Sequence, residues 1–222
     1  MKHIFSLFVL TVLSVSMLAE NTYVKLTATP DDWVGTYLIV CESENVIFNG
    51  AADEDEIDAK GGYAILSDIA ISNAIITGDN EIDAATFTIE ATDDTDWPWA
   101  IKSQSGLYLG HKDTTDNGLS TETSIKKKCR HTLSIDSLGN FVATPRWEES
   151  GAYNLQYNKK SEQLRFRYYE PDDKEHIQIY RLQEASSIES LHSSSRIRKV
   201  CENGQIYILH DGVRLNLLGT RL

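Results

Sequence analysis

Across 222 residues, 33 acidic side chains stand against 21 basic ones, a formal charge of −12. A surface with that balance repels phosphate backbones and anionic lipid headgroups, which argues against nucleic acid or a membrane surface as a general partner. The length suits one domain with appendages, and about 160 residues suffice to bury about 70% of an unfolded chain's surface without staples.

The chain begins MKHIFSLFVLTVLSVSMLA, with Lys2 ahead of an almost unbroken apolar run from Ile4 to Leu18, followed at once by polar Glu20-Asn21-Thr22. The run is too short to span a bilayer, so residues 1–19 read as a secretory signal peptide cleaved near Ala19. No cysteine follows it where a lipid anchor would need one. The expectation is export without membrane insertion once the signal is removed.

Residues 20–183 read as one compact all-β domain. Short runs rich in Ile, Val, Thr, Tyr and Phe alternate with turn clusters: TYLIV, VIF, YAIL, ATFTIE, WAIK, LYLG, HTLSID, FVAT, YNLQY, LRFRYY and IQIYRL. Gly-containing turns separate them, and no window keeps a helical apolar period beyond two turns. A loose echo runs through TYLIVCESENVIFNG, WAIKSQSGLYLGHK and YNLQYNKKSEQLRFRYY, whose starts at Thr36, Trp99 and Tyr153 lie 63 and 54 residues apart. Such a period suggests a threefold β-trefoil-like arrangement, with a β-sandwich or barrel as the alternatives.

Composition then shifts. Residues 184–198 are serine-rich and lack a strand pattern, which reads as a flexible linker, with a short helix as the alternative. Residues 199–222, KVCENGQIYILHDGVRLNLLGTRL, hold two short apolar runs beside Asn203-Gly204 and Asp211-Gly212, turn dipeptides that favour φ > 0 and close a small β-hairpin.

Chemistry-bearing patterns are sparse. Past residue 19 the histidines are His111, His131, His176, His192 and His210, none at metal-ligand spacing from another. Neither a nucleophile elbow nor a phosphate-cradling glycine loop occurs. Cys41, Cys129 and Cys201 form an odd set, read either as a Cys41–Cys129 bridge or as idle thiols. The acidic runs Asp53–Asp58 and Asp93, Asp94, Asp96 offer oxygen ligands to calcium, but they lack the glycine and glutamate positions of an EF-hand loop and read as solvated loops. No cofactor and no catalytic residue is expected. The aromatics are more informative: Trp97 in DTDWPWAIK and Trp147 in TPRWEES are placed as ligand-facing loop residues, joined by Tyr108, because an indole or phenol ring offers a rigid face for a sugar or an apolar partner group. Trp99, which leads a strand, reads as core. Arg165 and Arg167 read as the outward face of a half-buried strand.

The tail carries a resemblance. Gly204, Gly212 and Gly219 are spaced by eight and seven, Ile206 and Ile208 alternate between the first two, and Asn216 precedes the third. This pattern resembles the short C-terminal sorting tail of proteins exported by type IX secretion in certain Gram-negative bacteria. Leu215 stands where that family has an aromatic residue, and the segment is shorter than the full sorting domain. The resemblance implies passage through the periplasm, reading of the tail by the type IX secretion machinery, then release or surface attachment. The phrases TYLIV…FNG, ATFTIE, IKSQSGLYLG and LRFRYY are also similar to a β module of secreted proteins in such bacteria. Together these features lead to an exported, non-catalytic β module that binds a glycan or surface polymer. Two other classes stand beside it: a secreted hydrolase using Asp and Glu residues, and an acidic adhesion or structural protein.

Overall fold

The computed structural model describes residues 20–59, 65–111, 118–146, 153–160, 163–171, 173–183, 197–202, 205–210 and 213–215. The signal-peptide reading, most of the linker, and Trp147, Gly204, Gly212, Asn216 and Gly219 fall outside them. In chain order the elements are β1 (Thr22–Lys25), β2 (Gly35–Cys41), β3 (Val46–Phe48), β4 (Ile65–Leu66), β5 (Ile75–Thr77) and the one-turn helix α1 (Asn80–Ala84). There follow β6 (Phe87–Ala91), β7 (Trp99–Ser103), β8 (Tyr108–His111), β9 (Leu119–Glu122), β10 (Arg130–Ile135), β11 (Phe141–Pro145), β12 (Asn154–Asn158), β13 (Arg165–Tyr169) and β14 (Gln178–Gln183). The chain is all-β, and every strand pair is antiparallel. Among the described residues no helix is long and apolar enough to cross a membrane.

The eleven runs read from sequence all contain strands. Three more, β1, β5 and β9, carry no alternating apolar pattern that would have marked them. β9 is the instructive case: Leu119, Ser120 and Thr121 are all buried, and Ser120 Oγ donates to the Gly110 carbonyl at 3.3 Å. A strand whose buried hydroxyl is satisfied by its neighbour's backbone reads as polar in the sequence.

The long ladder runs β11-β10-β7-β6-β2-β14-β1-β5, with hairpins β3–β4 and β8–β9 hung from β2 and β7 and β12–β13 as a separate pair. It is open, so the closed barrel among the sequence alternatives is not formed. One isolated bridge, in which the Phe141 N–H donates to the Ile177 carbonyl at 2.7 Å, links the β11 end back to the start of β14. Three successive stretches each hold a ladder strand, a hairpin and a ladder strand: β2, β3–β4, β6, with β5 and α1 inserted before β6; then β7, β8–β9, β10; then β11, β12–β13, β14. The third stretch therefore starts at Phe141 and not at Tyr153. The echo in YNLQY and LRFRYY matches two hairpin strands to what elsewhere is a ladder strand plus a hairpin strand.

β2 shows why TYLIVC is apolar without alternation. Tyr37, Ile39 and Cys41 face the main core, while Leu38 and Val40 face a second cluster with Tyr23, Ile47, Ile76 and Tyr180. A strand covered on both faces has no solvent side for polar residues to occupy. In the main core Phe48 stacks on Phe166 at 4.8 Å between ring centroids, and Trp33 packs on Phe141 at 5.6 Å. Cys41 and Cys129 are both buried and unbridged, which removes the disulfide alternative for that pair. Burial pushes both thiols up in pKa.

The tail forms its own antiparallel sheet, β15 (Ile197–Glu202), β16 (Gln205–His210) and β17 (Val213–Leu215), in that order. Ile206 and Ile208 lie on β16. Two differences from the sequence reading emerge. β15 starts at Ile197, inside the stretch read as linker, and the unit has three strands where a hairpin was expected. A third strand supplies the cover that an isolated hairpin lacks in water.

Candidate functional site

The loop joining β6 to β7, residues 92–98, is held by a dense set of local bonds. Thr92 N–H donates to the Pro98 carbonyl at 2.7 Å, and Thr92 Oγ1 donates to the Trp97 carbonyl at 2.8 Å. Asp94 Oδ1 accepts from the N–H groups of Asp96 and Trp97, both at 3.1 Å. Short polar side chains bonding back to nearby N–H groups are what shape such loops. Asp94 also reaches outward: its Oδ2 pairs with Arg146, just past β11, and lies 3.3 Å from Arg130 Nη1 at the start of β10. Arg130 Nη2 lies 2.6 Å from Asp93. Partial burial raises the Asp94 carboxyl, but the two N–H bonds and then Arg146 and Arg130 outweigh it and hold its pKa below the usual range.

One carboxylate thus ties the Trp97 loop to the chain immediately before Trp147. Half-buried Trp97 and the two arginines bound to Asp94, Arg130 and Arg146, form one rim of the domain, the Trp97 rim. Trp147 itself lies outside the described residues. Trp99 packs against the main core, as expected. Tyr108 sits differently: it is 9% exposed, its hydroxyl donates to Glu90 at 2.8 Å, and Lys102 Nζ lies 5.2 Å over its ring. Its faces are taken by protein, so it offers no open platform for a ligand.

The acidic runs resolve in two ways. Asp53 caps a wide helical turn over Asp55–Ala59, its Oδ1 accepting from the Glu56 N–H at 2.9 Å, while buried Ile57 anchors the turn. Asp93 and Asp94 are engaged by the arginines. Among the described residues no group of three or more His, Cys, Asp or Glu side chains is placed to hold a metal ion. Arg165 and Arg167 alternate with buried Phe166 and Tyr168, as the strand pattern implied.

Sequence reasoning missed a buried polar node. His131 and Tyr168 are fully enclosed, with His131 Nε2 at 2.6 Å from the Tyr168 hydroxyl and Nδ1 at 2.9 Å from the Cys129 carbonyl. The carbonyl only accepts, so Nδ1 carries the hydrogen and Nε2 accepts from Tyr168; the ring is neutral. His111, also buried, packs in tilted pairs with Tyr153 at 5.0 Å and Tyr168 at 5.7 Å between ring centroids. Only the packing of β8, β10 and β13 brings these residues together, and no local spacing announces it.

Burial pushes His131 down to a pKa of about 4, against 6.5 in an unfolded chain. Between those values the unfolded chain binds a proton that the folded chain refuses. The resulting stability is complete above about pH 6.5 and is lost as pH falls toward 4, on the order of 2–3 kcal/mol over that window. Urea unfolding at steps from pH 7 to 4.5 should show this slope, and His131→Gln should flatten it by about one proton. Tyr168→Phe should cost about 1–3 kcal/mol at pH 7 because Nε2 loses its donor. A flat profile in the wild type would remove the node from the stability account.

No protein-family model matches the chain, and no curated protein matches it either.

Proposed function

We propose that the β domain is a non-catalytic binding module for a glycan or surface polymer, exported from a Gram-negative cell and addressed by its C-terminal tail. The observation that carries the binding half is the Trp97 loop, fixed at both ends by its own hydrogen bonds and pinned through Asp94 to Arg130 and Arg146. A preset aromatic with guanidinium donors beside it suits sugar recognition, since rings stack on the indole and hydroxyls or carboxylates accept from Arg. The shared order of the three stretches also favours reading the domain as a trefoil-like unit, in which β3–β4, β8–β9 and β12–β13 are the repeated hairpins.

The addressing half rests on the resemblance of residues 199–222 to a type IX sorting tail, and on the tail strands pairing, among the described residues, with one another and not with the main ladder. Binding is tested by following tryptophan fluorescence of the secreted chain, residues 20–222, against a panel of soluble polysaccharides. Trp97→Ala should weaken the responding ligand at least tenfold, and Arg146→Ala should weaken it through the loosened loop. An unresponsive panel, or a Trp97→Ala variant that binds as well as wild type, overturns the reading. Removing residues 199–222 should shift the melting temperature by no more than about 2–3 °C while retaining the protein in the periplasm of its host.

A further inference from the structure

A second surface lies away from the Trp97 rim, at the far edge of the ladder where β5 is the terminal strand. Between residues 66–77 and α1 runs a groove of about 460 Å³. Leu66, Ile69 and Ile75 line its apolar side, and Asp68, Asp79 and Glu81 its acidic side. Ile75 is 38% exposed, unusually open for an isoleucine. Among the described residues none of the three carboxylates has a basic partner, although the salt bridges elsewhere engage Glu42, Asp94 and Glu175.

The walls are fixed before anything binds. Asp83 accepts from Asn21 Nδ2 at 2.9 Å and from the Tyr23 hydroxyl at 2.8 Å, which seats α1 against β1. Asp79 Oδ1 accepts from the N–H groups of Glu81 and Ile82 at 2.9 and 2.8 Å. Asp68, Asn73 and Ala74 all hold positive φ, at 60°, 51° and 61°, and for Ala74 that conformation costs about 1–2 kcal/mol. Such strain persists where the surroundings fix the backbone.

We propose that this groove docks an extended peptide segment of a partner protein in which Lys or Arg residues alternate with aliphatic ones. The aliphatic side chains cover Ile75 and its neighbours, and the cations meet the unpaired carboxylates. Charge complementarity selects this partner: an acidic or neutral strand leaves three carboxylates facing no counter-charge beside newly covered apolar surface. The Ile75 N–H donates to the Ser72 carbonyl at 2.9 Å and the Ile75 carbonyl accepts from Ser72 N–H at 3.0 Å, so the segment is held by side-chain contacts and charge and not by strand addition.

The test uses residues 20–222 and two fluorescein-labelled probes, Ile-Lys-Val-Lys-Ile and Ile-Glu-Val-Glu-Ile, followed by anisotropy. The basic peptide should bind at least tenfold more tightly than the acidic one, with affinity that falls as salt rises. Asp68→Asn with Glu81→Gln should weaken it at least fivefold; asparagine tolerates the positive φ at 68, so the fold is kept. Ile75→Ser should weaken it by a similar factor, and Trp97→Ala should leave it unchanged. Glu54→Gln with Asp55→Asn, on the exposed turn elsewhere, is the control for diffuse attraction. If that pair weakens the peptide as much as the groove pair does, or if Ile75→Ser has no effect, the groove is not the docking site. No binding of the basic peptide overturns the proposal outright. Loss of peptide binding with glycan binding intact, or the reverse, separates this surface from the Trp97 rim.

Discussion

Gly50→Ala should cost at least about 3 kcal/mol, and at 37 °C a large share of the protein should fail to fold. Gly50 is buried just after β3, and a Cβ placed there would lie 2.1 Å from the Thr86 carbonyl oxygen and 2.9 Å from that of Ala85. These are backbone atoms, so no rotamer change relieves the clash. The crossing is further locked by hydrogen bonds: Gly50 N–H to the Ala85 carbonyl at 3.0 Å, Ser105 N–H to the Gly50 carbonyl at 2.9 Å, and Gln104 N–H to the Thr86 carbonyl at 3.0 Å. Three chain segments meet there, and a methyl group must push one away and break its bonds. Chemical denaturation of the variant beside wild type measures the loss; a cost under about 1 kcal/mol would mean the crossing yields more easily than its geometry implies. Gly106 is the contrast: its φ is +92° with nothing within 4 Å of a Cβ, so Ala there pays only for backbone conformation.

Phe48→Ala should destabilise the domain by about 3–5 kcal/mol. The Phe48 ring is fully buried, 4.8 Å from Phe166 in a near-parallel stack and 4.9 Å from Phe87 in a tilted pair. Phe166 in turn meets Tyr157 at 5.0 Å. One side chain therefore joins β3, β6 and β13, and its removal leaves a cavity walled by rings that are themselves fixed in strands. Phe48→Leu, which fills part of that space, should cost roughly half as much. Equal losses for Ala and Leu would show that ring stacking and not filled volume sets the energy. A loss under about 1.5 kcal/mol for Ala would show that the core relaxes around the gap.

The strands of this protein were legible from sequence because their cause is local. Runs such as VIF and LRFRYY carry β-branched and aromatic residues bounded by turn dipeptides, and both conditions act within a few residues. The class, all-β, followed from them without tertiary information. The alternation of half-buried Arg165 and Arg167 with buried Phe166 and Tyr168 was readable in LRFRYY itself. What alternation cannot give is which strand lies beside which. YNLQY resembles TYLIV in composition, yet TYLIV forms a ladder strand while YNLQY is a hairpin strand whose place depends on pairing with β13. β9 hid because its buried Ser120 is satisfied by Gly110, a partner ten residues away on a neighbouring strand. The His131–Tyr168 bond and the Asp94 link from the Trp97 loop to Arg146 are likewise contacts between residues remote in sequence. Their energy lies in the juxtaposition and not in any one residue, so they exist only once the ladder strands β6, β7, β10 and β11 and the separate hairpin strand β13 have come together. Tyr108 marks the boundary: its sequence context made it a ligand-facing aromatic, and only packing against Glu90 and Lys102 made it structural.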